Sequence, residues 1–276
     1  MKSSNPVFSR SESFNGTTSV KSDPSQWQID LNGQPSQYAA PTTTGRMTLE
    51  SAVEKTAITL AVVVAAAAAA WFVIGDVAAD QAAVSRAFTF AMGGAIIGFG
   101  LALVNSFKKV ISPALVLAYA AVEGVFVGAF SKIVASYVGD QGIVFQAVLA
   151  TFITAGATLF VYKFFNIQVT DKFRKMVTVA TLAFAGVLLV NFVLSFTPLV
   201  DNGGLRGFGM LGLAVSALAV CLAVFNLIMD FDYVEQGVAA GAPERESWRA
   251  AFGLTVTLVW LYIEILRILA ILRGND

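Results

Sequence analysis

Glu264 lies inside the last apolar stretch of the chain, Phe252 to Leu272, and Asp230 closes the apolar stretch before it. A carboxylate in a segment hydrophobic enough to cross a bilayer is costly unless it is paired, protonated or facing water, so such a group marks ion or proton chemistry. Arg267 stands three residues after Glu264, within reach for an ion pair on one helix face. Asp232 follows Asp230 in LIMDFDYVEQGV and reads more readily than Asp230 as a solvated helix end. Glu123 is a further acid, about 15 Å along a helix that begins at Pro113, near the middle of a membrane. The chain has no histidine. Two carboxylates brought together are then its route to sensing pH, because a second negative charge is disfavoured beside the first and the pair shares a proton.

The elements that must position these acids follow from composition. Of 276 residues, 57% are hydrophobic and 13% charged, and the mean hydropathy is +0.72. That balance lies far outside the range of soluble domains and predicts an integral membrane protein. Seven apolar runs approach the ~20 residues that a helix needs to span a bilayer. They are roughly Thr56 to Ile74, Ala87 to Phe107, Pro113 to Val138, Ile143 to Phe165, Met176 to Phe196, Phe208 to Met229 and Ala251 to Leu272. The runs are continuously apolar and do not alternate, which favours helices over a barrel. The expected class is therefore an all-α membrane protein with seven transmembrane helices.

Residues 1–45 are rich in Ser, Asn, Thr, Gln, Gly and Pro, with no period of apolar residues. This composition predicts a disordered tail, with a transmembrane domain over 46–276. Ten basic residues fall on the side of the N-terminus: Arg46, Lys55, Lys108, Lys109, Lys163, Lys172, Arg174, Lys175, Arg245 and Arg249. Arg86, Arg206 and Arg273 fall on the other. The excess predicts a multi-pass protein of the cell membrane with a cytoplasmic N-terminus and the C-terminus outside.

Lys plus Arg and Asp plus Glu both number 18, which gives no argument for a nucleic-acid partner. No phosphate loop, nucleophile with a base, or dinucleotide fingerprint is present, so neither an enzyme activity nor an organic cofactor is expected. With no histidine and a single cysteine, Cys221, the chain lacks the usual ligands of zinc or copper. Calcium accepts carboxylate and carbonyl oxygens in loose geometry, so Asp230 and Glu264 are the candidate ligands for it. Gly94 with Gly98, and Gly124 with Gly128, each share a helix face and predict close seams within one bundle. Thr151, Thr154 and Thr158 share a face of the fourth helix, and Asn191 and Asn226 are expected to bond to neighbouring helices.

The stretch LIMDFDYVEQGV, the later WLYIEILRILAIL and the seven-run pattern resemble the Bax inhibitor motif family of transmembrane proteins, in its bacterial, YccA-like branch. The resemblance covers about Met47 to Arg273. It implies a seventh helix at the centre, wrapped by the other six, and a pH-sensitive calcium leak. It also implies that an acidic pair between helices six and seven forms the pH sensor, which carries over to Asp230 and Glu264. Two departures stand out: glutamate replaces the second aspartate, and GAPERESWRA lengthens the connection between the two helices.

Asp230 and Glu264 are 34 residues apart. They meet at one depth if Glu235 to Trp248 forms a short segment outside the bilayer and the last helix enters near Thr255, or if the membrane surface dips toward Asp230; Pro243, Glu244 and Glu246 as a helix start, with Trp248 at headgroup level, favour the first. Glu264 pairs either with Asp230 or with Arg267. Beside the calcium leak stand two further expectations, a proton-coupled carrier that uses Glu123 as relay, and a membrane regulator that binds a protease or other partner through its tail and loops.

Overall fold

The computed structural model describes residues 45–195, 197 and 204–274. Seven helices occupy them: α1 (Leu49–Ile74), α2 (Gln81–Phe107), α3 (Pro113–Val138), α4 (Gly142–Phe164), α5 (Asp171–Leu194), α6 (Met210–Ala239) and α7 (Glu246–Gly274), with a 3-10 turn at Gly204–Arg206 before α6. Each of the seven is long and apolar enough to cross a membrane. The all-helical, multi-pass expectation therefore holds for the described residues. Of the expected tail, only Gly45 is among them.

Several helices run past their apolar stretches because the polar residues at their ends have partners. The first begins at Leu49, where the Thr48 hydroxyl accepts from the Ser51 backbone and Ser51 returns the bond, satisfying backbone donors that have no partner inside the helix. Thr170 caps α5 by accepting from the Phe173 backbone, and Pro113 opens α3 where no amide hydrogen is needed. The sixth helix continues ten residues beyond Met229, to Ala239. On that extension Asp232 accepts from Arg174 of α5 at 2.6 Å, and Glu235 accepts from Tyr162 at 2.6 Å and pairs with Lys163 of α4. The expected segment outside the bilayer, Glu235 to Trp248, is thus mostly helix, and only residues 240–245 connect α6 to α7.

The most buried helix is α7, with 67% of its apolar window inside the protein against 44% or less for the others. It packs on α1, α3, α4 and α6. The surround by all six others is looser than the resemblance implies: α2 is carried mainly on α3 and α5 mainly on α6, with the Phe184–Trp260 ring pair as a direct link from α5 to α7. Glycines make the closest seams. A side chain at Gly124 or Gly128 would run into the α1 backbone at Val63 or Ala67, and one at Gly94 would meet Phe126. Both glycine pairs therefore serve packing within the bundle, where a missing Cβ lets helices approach.

Hydroxyl pairs lock α7 to its neighbours. Ser51 meets Ser247 at 2.6 Å and Thr59 meets Thr255 at 2.9 Å, which holds α1 and α7 parallel and in register over two turns. Ser131 of α3 meets Tyr262 at 2.7 Å. Where α7 begins, Arg249 and Glu246 are 1% and 2% exposed and bond to each other at 2.7 Å. Arg249 also donates to the Lys109 carbonyl at 2.9 Å, so it caps the connection between α2 and α3. Glu246, expected at an interface, is a buried partner instead. Trp248 is partly buried, with Lys55 over its ring at 5.7 Å.

Thr151 and Thr158 bond back to the carbonyls one turn earlier. Asn226 donates to Thr181 of α5 at 2.8 Å, as expected of an interhelical amide. Asn191 instead accepts from the Leu205 backbone in the 3-10 turn.

Candidate functional site

Gly253, Thr257, Glu264 and Arg267 recur at spacings of four, seven and three on α7, so they fall along one stripe of the helix. The two singled-out acids meet this stripe at different heights. Asp230 sits nine residues inside the end of α6, not at its terminus. Its Oδ2 accepts from the Thr257 hydroxyl at 2.6 Å, and its Oδ1 lies beside Gly253, where a Cβ would stand 3.6 Å away. Glu264 comes seven residues after Thr257, about 10 Å further along α7.

The structure therefore does not bring Asp230 and Glu264 together. The long connection between α6 and α7 does not correct their offset, because both helices extend toward it and the antiparallel pairing is set by Asp230 against Thr257. No group of three or more Asp, Glu, Cys or His side chains that could hold a metal occurs among the described residues. A joint calcium site at Asp230 and Glu264 has no geometric support.

Glu264 is 1% exposed, and its Oε1 accepts from Arg206 at 2.6 Å. Arg206 reaches it from the 3-10 turn between α5 and α6. Arg267, the expected competitor, lies 3.9 Å from Oε2, an oxygen that is buried without a hydrogen bond among the described residues. Arg267 spends its donors elsewhere: one goes to the Arg206 carbonyl at 2.5 Å and another reaches Ser216 of α6 at 3.5 Å, with the Phe208 ring 5.4 Å away. Two guanidinium groups thus face one carboxylate. Removing one partner of a buried ion pair leaves the other charge uncompensated, which makes this cluster costly to break.

Between the two levels stands Trp260, stacked on Phe184 with centroids 6.2 Å apart. Polar, aromatic and ionic layers follow one another along α7 from Asp230 to Arg206. Glu123 lies off this stripe, on the seam between α2 and α3. Its Oε2 lies so close to Gly98 that a Cβ there would stand 2.9 Å away, and Tyr119, one turn earlier, interacts with it while packing edge-on against Phe252 at 5.1 Å. Asp232 is a half-buried bridge to Arg174 and Gln236, not a solvated helix end.

A family model described as Bax inhibitor 1 like matches residues 5–274. The chain belongs to that family. The match takes in residues 5–44, beyond the part of the chain in which the resemblance was expected. No curated protein matches the chain. Membership in the Bax inhibitor 1 like family agrees with seven helices long and apolar enough to span a membrane.

Two partners were not legible beforehand. Arg206 counted only as a basic residue of a connection, although its place between two apolar runs in DNGGLRGFGM was a signal. Thr257 is one hydroxyl in an apolar run, and nothing local to it marks Asp230 as its partner.

Proposed function

We propose that this protein is a cation leak, with calcium as its substrate, whose path follows the polar stripe of α7 and whose closure is the Arg206–Glu264 pair. The observation that carries the reading is a carboxylate buried in a spanning helix and held by an arginine that comes from a connection between helices. Arg206 belongs to the 3-10 turn and to neither spanning helix, so its side chain can leave Glu264 without a shift of helix on helix. While Arg206 is on Glu264, the path is shut. Loss of that pair releases the Arg206 side chain, while the turn itself stays bonded through Leu205 to Asn191 and through the Arg206 carbonyl to Arg267.

Asp230 has a different role in this reading. Only a hydroxyl from α7 bonds to it, and no ion pair engages it among the described residues. It therefore offers a carboxylate to an entering cation, and oxygen ligands suit calcium. The excess of basic residues at the Asp230 end makes that end cytoplasmic in our reading and places Glu264 toward the outside.

The test is calcium flux from liposomes containing the purified chain, measured against pH. Glu264→Gln removes the charge that holds Arg206 and should raise flux above that of the unaltered chain. Flux in Glu264→Gln that matches the unaltered chain at every pH would sink the proposal.

A second reading, a regulator worked through its tail, draws on one contact. The backbones of Met47 and Ala242, and of Glu244 and Gly45, bond at 2.7 and 2.8 Å, so the chain just after the tail is tied to the connection between α6 and α7. Loss of a partner's binding but not of flux on deleting residues 1–44 favours this second function; loss of neither opposes it.

A further inference from the structure

On the flank formed by α1, α3 and α4, away from the α6-facing stripe, two cavities adjoin. One is an apolar crevice of about 280 Å³ lined by residues such as Val64, Ala68, Val144, Val148 and Phe152, with Tyr262 among its walls. Val64 and Phe152 are 61% and 56% exposed, so the crevice faces the surrounding bilayer. The second is a polar cavity of about 140 Å³ lined by Trp71, Asp76, Lys132, Ser136 and Gln141. Trp71 belongs to both.

Their dimensions fit one membrane leaflet. The α1 wall of the crevice runs from Leu60 to Trp71, about 16 Å at 1.5 Å per residue. That is about half of a hydrocarbon core of ~30 Å. The polar cavity lies where α1 and α3 end, beside the turn that follows Ile74 and the Gly139 that closes α3. A tryptophan at the junction is placed as interfacial tryptophans are.

The charges in the polar cavity are of opposite sign and separate. Lys132 donates to the Trp71 carbonyl at 2.9 Å and lies 4.7 Å from the indole centroid. An ammonium has three donors, so this bond does not exhaust it. Asp76 accepts from the Ala78 backbone at 2.9 Å through one oxygen, and no ion pair joins it to Lys132 among the described residues. A phosphate beside Lys132 gains charge-assisted hydrogen bonds, and an amine three or four bonds away from that phosphate meets Asp76. A purely anionic headgroup gains the first contact and is opposed by the second.

We infer that this flank is a binding site for a zwitterionic aminophospholipid, with one acyl chain in the α1–α4 crevice, its phosphate at Lys132 and its amine at Asp76. The lipid belongs to the leaflet on the side of the C-terminus. It seals a crevice that opens onto Ser131 and Tyr262, the hydroxyl pair that ties α3 to α7.

The full chain in mild detergent, titrated with phosphatidylethanolamine or phosphatidylglycerol and read by native mass spectrometry, tests the site. Phosphatidylethanolamine should be retained in preference. Val148→Trp, which fills the crevice, should lower retention of both lipids, and Lys132→Gln should lower it by about threefold or more, as loss of a charge-assisted bond predicts. Asp76→Asn keeps the acceptor for Ala78 and should abolish the preference without abolishing binding. This exposed position decides the matter even if Val148→Trp fails to fold. Retention unchanged in Lys132→Gln, or a preference unchanged in Asp76→Asn, overturns the inference.

Discussion

Asp230 and Glu264 are two acids of one helix hairpin, and their surroundings differ in kind. Among the described residues, a single threonine hydroxyl bonds to Asp230, while two arginines face Glu264 and one of its oxygens is buried without a hydrogen bond. Among the same residues, the first is a carboxylate without a countercharge. The second is a carboxylate already occupied. In an apolar bundle the first arrangement invites a cation or a proton, and the second excludes a cation until the arginine leaves. The contrast teaches that family resemblance can locate two acids without determining that they act on each other.

The strongest way to break the contrast is to remove the closure itself. A hydrogen bond to a charged group contributes about 1.5–3 kcal/mol, so Arg206→Gln should shift the balance between closed and open forms by about ten- to a hundredfold. Calcium flux at neutral pH should rise accordingly. If flux falls in Arg206→Gln, the arginine supports conduction and the assignment of a closure is wrong.

Next in size is Asp230→Asn, which keeps a hydrogen-bonding side chain and removes the charge. Flux should drop by about tenfold, the equivalent of ~1.4 kcal/mol of lost attraction for the cation. Flux in this variant should also lose the dependence on calcium concentration that a charged entry site confers. An increase would mean that Asp230 obstructs the path, as Glu264 is proposed to do, and the contrast would collapse.

Trp260→Ala opens the aromatic layer between the two acids. Apolar constrictions gate by excluding water, and flux should rise by about fivefold, and further when Arg206→Gln is added. A further rise in the double variant separates this effect from loss of the ionic closure. The smallest effect is expected from Thr257→Val, which removes a bond of about 0.5 kcal/mol, the low end for a hydrogen bond, and should change flux by about twofold. Flux and thermal stability measured together distinguish altered conduction at Asp230 from a general loosening of α6 on α7.

Much of the fold was legible because lipid imposes a strict condition on the chain. Every spanning segment must satisfy its own backbone polar groups, so long apolar runs such as Pro113–Val138 could only be helices. The ends were less legible. Asp232, Glu235 and Glu246 looked like residues of a connection or interface, and each lies within a helix because Arg174, Lys163 or Arg249 stands opposite. A polar residue at the end of an apolar run reads the same whether it faces water or a partner on another helix.

The candidate site divides in the same manner. Glu264 was marked by its apolar neighbours on its own segment, and Arg267 by a spacing of three. Arg206 has no such local mark, since its distance from Glu264 is 58 residues along the chain and 2.6 Å in space. Glycine pairs on one face predicted close seams, but the identity of the facing helix, α1 for Gly124 and Gly128, required the packed bundle.

By itself, then, the sequence determined that this protein lives in a bilayer as seven helices, and that α6 and α7 carry acids that are costly in apolar segments. Hydropathy and helical spacing are local quantities, and they suffice for that. Only the tertiary structure decided the partners, because these depend on how far α6 slides along α7 and where the connection before α6 folds. That shift gives Asp230 to Thr257 and Glu264 to Arg206, and two turns of α7 separate what a shared motif had placed together.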